Sequence, residues 1–442
     1  MAHSRGAQDF HQVPPDMIPF LMLLPILTPV SARRSRSAKR PRPLAPVQAV
    51  ASEPGPAAPR RTQGARVSSR SRRLPAQVLG TRDLNRALLQ RQWLLRRSGA
   101  SVPEALEHLV GLQAQATHPP YYGLWTRLEG FQRETLTRLL TERQVVRTAM
   151  MRATLHLVTA RDCRSLRPVL QPALERVLKH SAHGKKLAGV EMQALVAEGR
   201  ALLAERPSPR GELGQRLQEK WPHHDANALG MGVTCLSPLV VVPPCGTWGR
   251  GERTVYTTAE SWLGEAVEPT TSLDALVLRY LAAFGPASVK DLQVWSGLPR
   301  LREVVERLRS GLRIFRDADG AELFDIPDAQ RPAGDTPAPV RFLPEFDNVL
   351  LSHANRTRIL SDAARQRIFT VNGRVLATFL VDGFVKGTWT LERERDVAAL
   401  HITPFSRLSR EDRAALMDEG ARLLAFAAHE ARRIDIRFAR AG

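Results

Sequence analysis

Helix-rich α+β is the fold class that this sequence predicts, and three observations predict it. Between residues 81 and 335, groups of short helical patterns are each followed by a strand-like run. The last hundred residues alternate strand patterns with one long amphipathic helix. The first eighty show no apolar period at all. The architecture implied is three tandem winged helices at 81–186, 187–268 and 269–335, then a C-terminal α+β domain at 336–442. A Pro-, Ser- and Arg-rich tail at 1–80 precedes them.

The tail carries thirteen Lys/Arg against three acids, which is half of the net charge of +20. It is read as disordered, and as either a nonspecific tether on DNA or an extension from an early start codon. Residues 81–186 predict helices at Leu84–Arg97, Pro103–Leu112 and Glu134–Leu140, then a strand pattern over Val145–Val158. Residues 187–268 predict helices at Met192–Ala204, after Pro209 and at Asp225–Leu229. Strands at Val240–Val242 and Arg253–Tyr256 follow, around a turn at Gly246–Gly251.

The third unit has the clearest pattern. Leu273, Leu276, Val277, Tyr280, Leu281 and Phe284 follow helical spacing, and Gly285-Pro286 stops the helix. Ser288 and Asp291 form a capping-box pair that opens a second helix, and Ser296-Gly297-Leu-Pro299 turns the chain. Leu301, Val304, Val305 and Leu308 mark a third helix, whose outer side carries Arg300, Arg302 and Arg307. Strand patterns on both sides of Asp319-Gly320 predict a hairpin. A winged helix commonly lays its third helix in the major groove, so these arginines are candidate DNA contacts. In the last block, Val340–Leu343, Arg374–Val381, Phe384–Leu391, Leu400–Ile402 and Ile434–Phe438 read as strands and Arg410–Ala428 as a helix.

With 64 Lys+Arg against 44 Asp+Glu, the chain favours a polyanionic partner, and double-stranded DNA is the expected one. Cys163, Cys235 and Cys245 lie too far apart for a metal or disulfide framework, and read as small core residues of a reducing compartment. The apolar run Ile18–Ile26 is too short to span a bilayer and contains two prolines, so no membrane partner is expected. No phosphate loop, dinucleotide fingerprint, serine elbow or metal motif is present; neither cofactor nor metal is implied. A cytoplasmic, nucleoid-associated monomer is the expectation.

Two stretches carry candidate chemistry. In Val110-Gly-Leu-Gln-Ala-Gln-Ala-Thr-His-Pro-Pro-Tyr-Tyr-Gly-Leu-Trp125, Pro119 disfavours helix at His118 and should end the preceding helix near Gln113. In extended chain, Gln113 and Gln115 point the same way and offer uncharged donors and acceptors together. By itself this pattern is common and is usually that of a solvated helix end or a phosphate contact. In Arg152-Ala-Thr-Leu-His156, strand alternation sets Arg152, Thr154 and His156 on one face, as phosphate or pocket contacts or as the solvated side of a strand. Glu345 and Asp347 read as turn caps or partners of Arg356 and Arg358 rather than as an acid/base pair.

Gln113-Ala-Gln115 with its Pro-rich aromatic continuation resembles the AlkZ/YcaQ-like family of winged-helix DNA glycosylases. Met151-Arg-Ala-Thr-Leu-His-Leu-Val158, Leu343-Pro-Glu-Phe-Asp-Asn-Val-Leu-Leu-Ser-His353 and Val381-Asp-Gly-Phe-Val-Lys-Gly-Thr-Trp389 support the resemblance, which covers about residues 80–440. The resemblance implies three tandem winged helices in a C-shaped molecule that binds DNA. It implies Gln113 and Gln115 at the catalytic centre, with Arg152, Thr154, His156 and His118 against the DNA. A sister branch has Asp at the second glutamine position, and Gln115 sets this chain with the AlkZ branch. The implied reaction is hydrolysis of the glycosidic bond of cationic N7-alkylated purines, interstrand crosslinks among them. The competing reading is a non-catalytic winged-helix regulator or architectural DNA binder.

Overall fold

A computed structural model describes residues 77–250, 253–268, 270–394 and 396–440. Most of the predicted tail, residues 1–76, lies outside the described residues, as does Gly251 of the expected turn. The last residues assigned to the tail are ordered into strand β1 (Val78–Leu79), which leads into α1 (Thr81–Arg91).

Next come α2 (Val102–His108), β2 (Leu112–Gln113), α3 (Pro119–Trp125), α4 (Arg133–Thr141), β3 (Val145–Ala149) and β4 (Leu155–Thr159). Ser101 caps α2 in a reciprocal box with Glu104, satisfying two backbone donors that the first turn leaves orphaned. Helix α5 (Ala160–His180) was not predicted, because Pro168 and Pro172 interrupt its pattern. An internal proline costs about 3 kcal/mol. Burial of Cys163, Leu166, Leu170 and Leu174 on one face, at about 1.5–3 kcal/mol for a large apolar side chain, offsets that cost.

The middle continues with α6 (Ala182–Lys185), α7 (Met192–Glu205), α8 (Arg210–Leu217), α9 (Ala226–Leu236), β5 (Leu239–Val241), β6 (Tyr256–Thr258) and α10 (Ala259–Leu263). Helices α11 (Leu273–Phe284), α12 (Val289–Ser296) and α13 (Leu301–Leu308), and the hairpin β7 (Arg313–Asp317) and β8 (Glu322–Asp325), follow in the predicted order. The Ser288–Asp291 box is formed in both directions. The final block has β9 (Arg341–Leu343), α14 (Asn348–Leu351), α15 (Asp362–Ile368), β10 (Thr378–Val381), β11 (Phe384–Glu394), β12 (Val397–Pro404), α16 (Arg410–Ala427) and β13 (Arg433–Phe438).

These strands make three sheets. β1 runs parallel to β7, so the first strand and α1 join the hairpin of the third unit across more than two hundred residues of sequence. The five-stranded sheet β2-β4-β3-β5-β6 is antiparallel throughout, and the β3–β5 pairing fuses strands from the first two predicted units. The C-terminal sheet has the order β13-β12-β11-β10-β9, with only β12 and β13 parallel. Tyr121 and Leu124 of α3 share a core with Phe379, Trp389, Leu400 and Leu424 of this last block.

Buried ion pairs lock the segments. Both nitrogens of the Arg127 fork donate to Asp347 at 2.8 Å, with both side chains fully enclosed. Arg91 clasps Asp325 at 2.7 Å through two bonds, and Arg279 clasps Asp162 at the same distance. Removing one member of a buried pair strands the other charge in low dielectric. Asp347→Ala should therefore lower unfolding free energy by about 3–5 kcal/mol, read from the urea midpoint. Gly111 is the other exacting position. Its φ is +85°, and a Cβ there would stand 2.7 Å from Val158 Cγ1 and 3.1 Å from the Leu157 carbonyl oxygen. Gly111→Ala should lose at least the roughly 1–2 kcal/mol of a left-handed backbone, measured the same way.

Candidate active site

The glutamine segment is built by a reversal. Helix α2 stops at His108, five residues before Gln113 and earlier than the sequence suggests, because Val110 and Gly111 both take positive φ. His118 keeps α geometry although Pro119 follows it, and Pro119-Pro120 open α3. Between these helices lies β2, paired antiparallel to β4 with Gln113 opposite His156 and Leu112 opposite Leu157. His156 in turn stands opposite Thr148 of β3. Registered partners share a face, so Gln113, His156 and Thr148 form a polar row across three strands. Asn348 donates from Nδ2 to the Gly111 carbonyl at 2.8 Å and fixes the start of this strand.

The hairpin tip supplies the remaining groups. Arg152 and Ala153 both have φ of +56°, in a chain reversal with no glycine to relieve it. Such residues cost about 1–3 kcal/mol each and persist where the surroundings impose them. Arg152 is therefore in the turn rather than on the strand face that alternation predicts. From there its Nη2 donates to Gln113 Oε1 at 2.9 Å, and its Nη1 to the Trp295 carbonyl at 2.9 Å. Gln115 Oε1 accepts from the Leu155 backbone N–H at 3.1 Å. Both glutamine carbonyls thus turn toward one hairpin, and both side chains are buried, at 4% and 2% exposure. Thr154 spends its hydroxyl on the Met151 carbonyl at 3.1 Å, closing the turn.

His156 Nδ1 lies 2.9 Å from the Thr154 carbonyl, which can only accept, so Nδ1 carries the proton and Nε2 keeps its lone pair. Burial, then the charge of Arg152, pushes the His156 pKa down to about 3 despite the bond to Thr154. Arg152 is lowered to about 10, first by burial and then by Arg356, and keeps its charge at neutral pH. Gln113 Oε1 has a second lone pair, and neither amide nitrogen of the pair holds a hydrogen bond to a described residue. The arrangement is a neutral, acceptor-rich site with one cation behind it.

The other expected residues fall elsewhere. His118 packs edge-on against Trp248 at 5.0 Å and helps line a cavity of about 350 Å³ with Tyr122, Trp389, Arg393 and the Glu345–Arg374 pair. Gln113, Gln115, Arg152, Thr154 and His156 are not among its walls. Arg300, Arg302 and Arg307 are exposed on or beside α13; Arg302 pairs with Glu306 and Arg307 with Asp274. Asp347 caps α14 as expected, but its ion partner is Arg127, and that of Glu345 is Arg374. Trp295 and Asn348 escaped sequence reasoning, since neither carries a local signal of its contact. All three cysteines are buried, and burial pushes Cys163 and Cys235 up to about 12. Among the described residues, no group of three His, Cys, Asp or Glu gathers as a metal site, and no helix is long and apolar enough to cross a membrane.

Comparison with known proteins gives the family and the fold. A protein named Interstrand DNA cross-link repair glycosylase, from Streptomyces sahachiroi, is 23% identical over 358 residues, covering 75% of this chain and 92% of its own length. The solved structure of Streptomyces sahachiroi DNA glycosylase AlkZ matches in fold with a TM-score of 0.68 at 21% identity, over 82% of this chain and 100% of that one. The sequence model of the family described as DNA glycosylase AlkZ-like matches residues 106–426. With well over half of its length so matched, the chain belongs to the AlkZ-like DNA glycosylase family.

Proposed function

We propose that this chain is a monofunctional DNA glycosylase that hydrolyses the N-glycosidic bond of cationic N7-alkylated purines in duplex DNA, interstrand crosslinks of that chemistry included. The observation that carries the reading is the pairing of acceptors without an acid. Gln113 Oε1 and His156 Nε2 sit on registered neighbours, and no carboxylate is bonded to either glutamine. Glu345 and Asp347 are held by arginines, and His156 stays unprotonated far below neutral pH.

A neutral purine needs a proton to leave; an N7-alkylated purine already carries the charge that departure would demand. A water donating to Gln113 Oε1 and His156 Nε2 would keep a lone pair for C1′. The C1′–N9 electrons pass into the cationic base and neutralise it, while water adds to the oxocarbenium-like sugar and its proton leaves to solvent. Buried amide dipoles stabilise that developing sugar cation. Gln113 and Gln115 are the catalytic residues of this scheme. Arg152 meets the DNA backbone beside them, with Thr154 bracing the turn that presents it and His118 on the approach. In this reading the segments 81–186, 187–268 and 269–335 act as winged helices along the duplex, Arg300, Arg302 and Arg307 on its phosphates, in a cytoplasmic, nucleoid-associated monomer.

On N7-methylated duplex, Gln113→Ala and Gln115→Ala should each cut released base on the order of 10²-fold while duplex binding persists. Absence of release by the parent protein from every N7-alkylated duplex would leave the DNA-binding regulator as the answer. The rate profile should show no inflection from His156 between about pH 5 and 8. Stability, in contrast, should fall with acid. The unfolded histidine takes up its proton near pH 6.5, whereas the folded one resists to about 3. The stabilisation is complete above 6.5 and lost as pH drops toward 3, a loss that His156→Gln should reduce in pH-dependent melting.

A further inference from the structure

We infer that Arg152, Arg356 and Arg365 form a single seat for one phosphodiester of the DNA strand that reaches Gln113, an assignment that rests on the DNA-binding part of the reading above. Among the described residues, the other deeply buried arginines direct terminal guanidinium nitrogens to partners, although the Nε of several is also unpartnered. Arg91, Arg127 and Arg279 each clasp a carboxylate. Arg147 and Arg167 lack an acid, but each donates to backbone carbonyls.

The trio is different. Arg152 makes two hydrogen bonds, to Gln113 and Trp295, and neither partner is charged, so three of its five N–H donors are uncommitted. The Arg356 side chain makes no hydrogen bond or ion pair to a described residue, and its Nε is buried without a partner. Its guanidinium lies over the Phe369 ring at 4.8 Å. Arg365 precedes Phe369 by one helical turn, on the same face, and has no ion pair with a described residue.

Helix α12 ties to itself both the inner member and the segment that carries the middle one. Asp291 in its first turn accepts from the Ala354 backbone, two residues before Arg356, and Trp295 in its last turn accepts from Arg152. The electrostatics agree: burial first, then Arg356, weakens the hold of Arg152 on its proton, and burial, then Arg365, does the same to Arg356. Exposure rises outward, from buried Arg152 to half-buried Arg356 and Arg365. Like charges held together out of water are unfavourable unless an anion completes them. A phosphate is the anion that duplex DNA offers, and forked guanidiniums match its oxygens. Because Arg152 is bonded to Gln113, filling the seat also fixes the carbonyl of that amide, which makes Arg356 and Arg365 positioning residues.

The test measures binding of an undamaged duplex by fluorescence anisotropy across salt concentrations, with no chemistry involved. Each phosphate contact contributes about 0.9 to the log–log salt slope. Arg356→Gln should reduce the slope by about that amount, so that a fourfold rise in salt weakens the variant roughly 3.5-fold less than the parent. Its melting temperature without DNA should hold or rise, since a repulsion is removed. Arg365→Gln, on a half-buried helix position, should show the same slope loss should the first variant fold poorly. Parental slopes in both variants, or a lower melting temperature of Arg356→Gln with an unchanged slope, would overturn the seat and make Arg356 a packing residue. A parent that releases no base but shows the slope loss overturns the glycosylase reading and leaves the seat standing.

Discussion

Two hydrogen bonds from one guanidinium join the parts of this protein that sequence keeps apart. Arg152 reaches Gln113 in the first predicted unit and the Trp295 carbonyl in the third, from the tip of a hairpin that lies between them. Its geometry exists only because Arg152 and Ala153 accept a left-handed backbone, and that strain is sustained by the β3–β4 ladder and by the Thr154 hydroxyl inside the turn. The side chain is charged yet has no acid, so its position reports what the site lacks as much as what it holds.

Behind it, the stretch Leu343–His353 works as a brace. Asp347 anchors Arg127, Asn348 secures the Gly111 carbonyl, and His353 reaches the Phe284 carbonyl at 3.1 Å. Three consecutive tasks in about ten residues connect the glutamine strand, helix α3 and the end of α11. Glu345 and Asp347, read in the sequence as turn caps or arginine partners rather than an acid/base pair, are each held by an arginine. The substrate proposed above, which already bears positive charge, would need no proton from either.

What was legible in the sequence was whatever is written locally. The capping pair Ser288 and Asp291, the Gly285-Pro286 stop and the Asp319-Gly320 turn mark α11 to β8 because each signal lies within its own element. Helix α16 and the parallel strand β13 were readable for the same reason. Strand β2 was not, since two residues become a strand only through a partner some forty positions away. Helix α5 was hidden by its prolines. At the candidate site, the glutamines and the Arg152–His156 run were visible as motifs, whereas the contacts of Trp295 and Asn348 join distant segments and have no spacing to betray them.

The antiparallel ladder β2-β4-β3-β5-β6 has a consequence for how such a chain can be cut or remodelled. Strand β3 is interior only because β5, nearly a hundred positions later, covers its outer edge. A fragment ending before β5 would bare the Val145–Ala149 backbone, a short ribbon with unpaired N–H and C=O groups able to recruit strands from other molecules. Shuffling of the first two segments as independent modules is thereby closed off, and tolerated insertions belong at the outer margins, beyond β6 or ahead of β2.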